Sequence, residues 1–186
     1  MINQKAFIKR LQSESHKETA FSELIDAYQE RLYWHIRKIV LTHENTNDVL
    51  QNTFMRVFKN IAGFKGQSSL MTWMYRIAYN ESIRFLEKNK RTIYKTEELL
   101  NNALVNELVD DGFFDGDEIK LRLHKVLLCI PEKERHVFNM KYFDELKFRE
   151  ISELTGIKES TVKSLYYKTV KFIEENIVKV QLSANL

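Results

Sequence analysis

A chain of 186 residues with 44% hydrophobic content has material for one or two globular domains, and one proline with five glycines leaves few breakers to interrupt helices. Its net charge of +3 is unevenly spread: 15 basic against 9 acidic residues over 1–92, one against eight over 93–118, and 13 against 9 over 119–186. A single cysteine excludes an intramolecular disulfide, no apolar run approaches membrane-spanning length, and Met1–Arg10 lacks the apolar core of a secretion signal, so a cytoplasmic protein without membrane insertion is expected.

The first predicted helix runs from about Asn3 to Gln12, with Phe7, Ile8 and Leu11 apolar. His16–Glu18 reads as a joint. Thr19 to Leu41 forms a long amphipathic helix on Phe21, Leu24, Ile25, Tyr28, Leu32, His35, Ile36 and Ile39, with His35 a core histidine. Thr42–Asn47, rich in Thr and Asn, reads as a connector. The next helix, Asp48 to Ile61, has Leu50, Phe54, Val57, Phe58 and Ile61 as its buried stripe. Asp48, Asn52, Met55 and Lys59 lie on the far side, with Gln51 at the border. That side fits an ordinary solvated surface, or a partner-docking face marked by its exposed Met.

Gly63–Ser69 reads as a loop, with Ser68 or Ser69 able to cap the next helix. In that helix, Leu70–Arg91, residues Leu70, Trp73, Met74, Ile77, Ala78 and Phe85 share one face. Tyr75, Arg76, Tyr79, Asn80, Ile83, Arg84 and Lys90 share the other. Arginine beside exposed tyrosine is what single-stranded nucleic acid needs: cations for the backbone and flat rings for unstacked bases. A mixed surface with partly packed tyrosines would show the same pattern.

The acidic block comes next. Leu99, Leu100, Leu104 and Leu108 could make a transient or partner-bound helix, whereas Asp110–Gly116 argues for an irregular linker and a domain boundary. Two basic blocks around an acidic one suit two polyanion-binding modules joined by a segment that avoids nucleic acid. Past Glu118, Ile119, Leu123, Val126 and Leu127 form a helix, and Cys129 is expected to be buried and inert. Pro131 stops that helix and opens another, with Glu132 and Glu134 favourable to its positive end and Val137, Phe138, Lys141 and Tyr142 continuing it. Phe143–Glu145 is a turn.

The last third is the most informative. Phe148, Ile151 and Leu154 mark a short helix, Thr155–Lys158 a tight break, and Val162, Leu165, Tyr166, Thr169 and Ile173 one side of a longer helix from Glu159. Two helices joined by a short turn containing glycine form a helix-turn-helix. Ser160, Lys163, Ser164, Tyr167, Lys168 and Lys171 fall on the outward side, with no carboxylate among them until Glu174. Such a face suits the major groove of DNA, or a solvated surface on a non-binding helical pair. His16, His35, His43, His124 and His136 lack metal-ligand spacing with one another or with Cys129, and no phosphate-cradling glycine loop is present. No catalytic activity, metal or cofactor is therefore expected.

Four motifs in order resemble the sigma factors of RNA polymerase, in the extracytoplasmic-function (ECF) class of the sigma-70 family, over roughly Ala20 to Ile177. Ala20–Ile25 with Arg31–Tyr33 resembles the opening of sigma region 2, Asp48–Phe54 the region 2.2 helix, Trp73–Asn80 the promoter-melting helix, and Gly156–Ile157 with Thr161–Ser164 the region 4 recognition helix. The resemblance implies an all-α protein of two small helical domains: residues 1–92 (core polymerase and −10 binding), an acidic linker 93–118, and residues 119–186 (−35 binding). It implies that Asp48, Gln51, Asn52 and Met55 dock on the β′ clamp coiled coil of core polymerase, with the β flap as a second contact. It assigns the −10 element to Phe64, Lys65, Ser68, Tyr75, Arg76, Tyr79, Asn80 and Arg84; Trp73 matches the family's tryptophan, but its place on the apolar stripe points to a mainly structural role. It assigns the −35 element to Ser160, Thr161, Lys163, Ser164, Tyr167, Lys168 and Lys171, with Lys147 and Arg149 on backbone phosphates. It implies an anti-sigma partner as well. Asn52 stands where most relatives carry Glu, Lys158 where a Ser usually caps, and Leu165 where an Arg is frequent, so the promoter sequence is not borrowed from relatives. The main rival reading is a stand-alone dimeric helix-turn-helix regulator, and a second is a helical adaptor that binds only protein.

Overall fold

Helical periodicity in the sequence becomes eight α-helices among the described residues of the computed structural model, which are 4–93 and 118–177. They are α1 (Gln4–Leu11), α2 (Lys17–Val40), α3 (His43–Asn60), α4 (Leu70–Ile93), α5 (Glu118–Leu128), α6 (Glu132–Tyr142), α7 (Phe148–Thr155) and α8 (Glu159–Asn176), with a 3-10 turn at Ile61–Gly63. The chain divides into two compact units, Met1–Lys88 and Asn89–Leu186. The leucine-bearing stretch 99–108 and the Asp110–Gly116 linker lie outside the described residues.

In the first unit, α2 and α3 pack along each other after a two-residue connection. Leu41 takes a left-handed conformation (φ 70°), and its N–H donates to Arg37 O at 3.0 Å to end α2. Thr42 then caps α3: its side chain accepts from Asn45 N at 3.3 Å, and its carbonyl accepts from Thr46 Oγ1 at 2.6 Å. The connector expected over Thr42–Asn47 is therefore mostly helix. The Thr and Asn side chains bond to the helix's own backbone instead of breaking it. Likewise α2 begins at Lys17, within the expected joint.

The core of this unit gathers Phe7, Leu11, Leu24, Leu32, Ile36, Val49, Val57, Ile61, Leu70, Met74 and Ala78, all buried. Each large side chain among them contributes about 1.5–3 kcal/mol on leaving water. The stripe on α3 is rotated from expectation. Thr46, Val49, Thr53 and Val57 are fully buried, while Leu50, Phe54 and Phe58 are not. Thr53 is accommodated because its hydroxyl donates to Val49 O at 2.7 Å. Phe54 and Phe58 flank α2 instead, meeting Phe21 edge-on at 6.2 and 4.9 Å.

The second unit packs Val126, Leu127, Ile130, Phe138 and Ile173, with Leu123, Phe143, Tyr166, Val170 and Ile177 against them. Pro131 starts α6, with Glu132 and Glu134 in its first turn. Cys129 corrects the expectation of a buried thiol: it is exposed, because α5 ends at Leu128 and the chain turns there, its S–H reaching Lys125 O at 3.5 Å. The turn after α6 uses Glu145 at φ 58°, with Asp144 N donating to Asn139 O and Leu146 N to Met140 O.

Candidate polymerase and nucleic-acid interfaces

Three surfaces carry the sequence-predicted site residues. On α3, Asp48, Gln51, Asn52 and Met55 are all exposed, and Met55 at 48% is one of few large apolar side chains facing solvent. Asn52 folds back on its helix, its Nδ2 donating to Asp48 O at 2.9 Å. The surface is a short polar face around one flexible thioether, a chemistry suited to a protein partner.

On α4, Arg76, Asn80 and Arg84 form an exposed stripe at i, i+4 and i+8, with Tyr79 half-buried beside it. Tyr75 does not belong to it. The expectation placed Tyr75 on the outward face, but it is only 3% exposed, its ring 4.5 Å from that of His35. Its position on the helix turns it toward α2, so it is a core residue and not part of a surface for bases. Arg84 shares the nearly buried Glu81 carboxylate with Arg56 of α3, at 2.8 and 2.6 Å. His35 itself is buried, as expected.

The loop before α4 is held at both ends. Ser69 caps α4, accepting from Thr72 N at 3.0 Å, and Gly66 supplies the left-handed turn residue (φ 70°). Lys65 and Ser68 are exposed; Phe64 is buried against Trp73, ring centroids 5.2 Å apart. At the loop's root stands a residue no motif marked. Gln12, just past α1, aims its Nε2 at three backbone carbonyls: Phe64 O at 2.9 Å, Ile61 O at 3.1 Å and Ala62 O at 3.5 Å. These partners are 49–52 residues away in sequence, so no local pattern could reveal them.

In the second unit, α7 and α8 meet at Gly156, left-handed at φ 74°, whose N–H donates to Ser152 O at 2.9 Å. Ser152 Oγ donates to Ile157 O at 2.6 Å, and Ile157 N donates to Thr155 Oγ1 at 3.3 Å, so two side chains of α7 hold the break. Lys158 gives α8 no side-chain cap. Val162, Thr169 and Ile173 face inward. Ser160, Thr161, Lys163, Ser164, Tyr167, Lys168 and Lys171 lie on the outer face, Tyr167 at 61% exposure with its ring 6.1 Å from that of Phe148. Lys147 and Arg149 stand at the start of α7, open to solvent. Tyr166 is packed inward; burial, then proximity to Tyr167 and Tyr142, pushes its phenol above the ordinary range and keeps it neutral.

The charge of this face differs from the expectation in one respect. Each lysine has a carboxylate beside it: Lys163 with Glu159 at 2.7 Å, Lys168 with Glu134 of α6 at 2.8 Å, and Lys171 with Glu175 at 4.0 Å. Arg149 pairs with Glu153 at 2.9 Å. The pairs of Lys163, Lys171 and Arg149 are exposed on both sides and worth about 0–1 kcal/mol each, so a phosphate can replace their carboxylates at little cost, whereas the Glu134 carboxylate is mostly buried and holds Lys168 more firmly. Among the described residues no group of His, Cys, Asp and Glu could hold a metal ion, and no helix is long and apolar enough to cross a membrane.

Comparison with known proteins matches residues 24–92 to the family model for Sigma-70 region 2 and residues 120–173 to that for Sigma-70, region 4. The ECF RNA polymerase sigma factor SigW of Bacillus subtilis is 29% identical over 159 residues, covering 81% of this chain and 85% of that protein. The ECF RNA polymerase sigma-E factor of Haemophilus influenzae is 23% identical over 184 residues, covering 95% and 96%. The fold is similar to that of the sigma factor RpoE in its co-crystal structure with the anti-sigma factor NepR from Bartonella quintana: TM-score 0.67, 18% identity, 86% of this chain and 97% of that one. It is also similar to CnrH in complex with the cytosolic domain of CnrY, with a TM-score of 0.62, 15% identity, and 98% and 99% coverage.

Proposed function

Because the chain belongs to the sigma-70 family, in its ECF class, and so is a transcription initiation factor and not an enzyme, we propose that it directs core RNA polymerase to promoters by gripping the −35 element as duplex and the −10 element as opened strand. Residues 1–92 bind core polymerase and the −10 element, residues 119–186 bind the −35 element, and the acidic segment 93–118 links them. The α3 face of Asp48, Gln51, Asn52 and Met55 docks on the β′ clamp coiled coil, and the second unit meets the β flap. Ser160, Thr161, Lys163, Ser164, Tyr167, Lys168 and Lys171 enter the major groove, where the hydroxyls and Tyr167 reach base edges and the ammonium groups exchange their carboxylates for phosphates. Lys147 and Arg149 hold the backbone beside them.

At the −10 element, flipping a base out of the stack costs a few kcal/mol. Stacking on an aromatic ring returns about 1–3 kcal/mol per base. Tyr79, with Arg76, Asn80 and Arg84 on the strand and Lys65 and Ser68 at the loop, provides that differential binding, and opening results from it without catalysis. Work of this kind is done in the cytoplasm, where the polymerase is. An anti-sigma factor is the expected inhibitor, as NepR accompanies RpoE in a similar structure.

The observation that carries this reading is the pair of exposed helix faces, Arg76, Asn80 and Arg84 on α4 and the Lys, Ser and Tyr residues of α8, inside the segments that match region 2 and region 4. Run-off transcription with purified core on the organism's own promoters tests it. Arg76→Ala with Tyr79→Ala should leave core binding intact and lower open-complex formation at least tenfold. Undiminished permanganate reactivity at the −10 region in that variant overturns the assignment. Strong binding of the chain to a palindromic duplex without polymerase favours the stand-alone regulator instead.

A further inference from the structure

We propose that Gln12 is a positioning residue for the loop Gly63–Ser69, fixing the loop's root so that its exposed residues meet an extruded base already in place. The inference rests on the −10 reading above and deepens it. Three peptide carbonyls, of Ile61, Ala62 and Phe64, converge on one small region at the surface, where a single fixed donor can hold all three in place of mobile water. The Gln12 carboxamide is that donor, at 3.1, 3.5 and 2.9 Å. Its two N–H groups serve the two nearer oxygens fully and the third partially.

The consequence reaches the loop's working residues. Phe64 and Lys65 share the peptide whose oxygen Gln12 holds, so fixing that peptide plane fixes where the Phe64 ring enters and where Lys65 leaves. Phe64 then wedges against Trp73, while Gly66 turns the chain and Ser69 anchors it to α4. Leu11, next to Gln12, is completely buried, so the carboxamide is mounted on a fixed point. An ordered loop contributes binding that a loose one loses to ordering entropy.

The test uses full-length chain assembled with core polymerase and a single-stranded DNA selected by that holoenzyme from a randomised pool of about 20 nucleotides, the scale of an opened promoter strand with its flanks. Gln12→Met keeps the length and packing but has no N–H. Gln12→Glu keeps the shape and turns an oxygen toward the carbonyls. Both should keep wild-type core affinity and thermal midpoint, yet bind the selected strand roughly tenfold more weakly, the scale of one or two lost hydrogen bonds. In a Trp34→Phe background, the emission of Trp73 should shift in both variants as Phe64 loosens. Wild-type strand affinity in Gln12→Met overturns the proposal. So does a loss of strand binding matched by equal losses in core affinity and thermal midpoint, which marks a merely structural glutamine. Arg76→Ala with Asn80→Ala serves as the control. If that pair also binds the strand normally, the −10 reading has failed. If it fails to bind while Gln12→Met binds normally, only the role of Gln12 is wrong.

Discussion

At the scale of single residues, Tyr75 and Tyr79 show how finely helical position decides chemistry. They sit one turn apart, yet Tyr75 is buried beside His35 and Tyr79 is half-open. Tyr75→Ala should therefore cost about 3 kcal/mol of stability, as loss of a packed aromatic does. A urea midpoint close to wild type would show that the ring is not packed. Periodicity cannot separate the two tyrosines, because it puts both on the face away from the apolar stripe and only the placement of α2 settles which of them is covered. The same applies to Cys129. Its apolar neighbours Val126, Leu127 and Ile130 are buried, but the thiol falls in the turn after α5. By contrast, the outward residues of α8 are legible in the sequence, because a long helix with a clear buried side fixes its outward side by periodicity alone.

Elements are legible wherever their ends carry local chemistry. Gly156 marks the break of the helix-turn-helix in the sequence and takes the left-handed conformation in the structure (φ 74°). A Cβ there would meet nothing within 4 Å, so the cost of Gly156→Ala is purely conformational, about 1–2 kcal/mol. Thermal unfolding should show that loss, with −35 duplex binding by the holoenzyme falling further than stability alone explains, since the angle between α7 and α8 is set there. The start of α3 is hidden from composition because Thr and Asn favour both loops and caps, and one hydrogen bond from Asn45 N decides between them. α1 is tied to α2 by Arg10 and Glu23. The hydrogen-bonded guanidinium holds the Glu23 carboxyl below its usual value near 4.5. Stability from this pair is present above the usual carboxylate range and is lost as pH falls through the depressed value. Glu23→Gln should flatten the acid limb of a urea-midpoint profile below about pH 4; an unchanged limb would place the acid sensitivity elsewhere.

For the whole molecule, the two-unit plan is visible in the charge pattern, whereas the Gln12 bonds and the Arg56–Glu81 ion pair are not, since both join residues far apart in sequence. On the reading that the acidic segment 93–118 lies along a basic path of the polymerase, replacing Asp110, Asp111 and Asp115 with Asn should weaken holoenzyme assembly several-fold in dilute buffer, and the difference should vanish near ~1 M salt, where the screening length is ~3 Å. Equal loss at all salt concentrations would deny the linker an electrostatic part. The ion pairs along α8 bear on life before assembly. With Glu159, Glu134 and Glu175 beside its three lysines, the outer face of α8 carries little unpaired positive charge of its own. On the reading proposed above, a free molecule is thereby spared from being soaked up by the vast excess of irrelevant genome, and would commit its cations only once the polymerase has delivered it to a site worth the exchange.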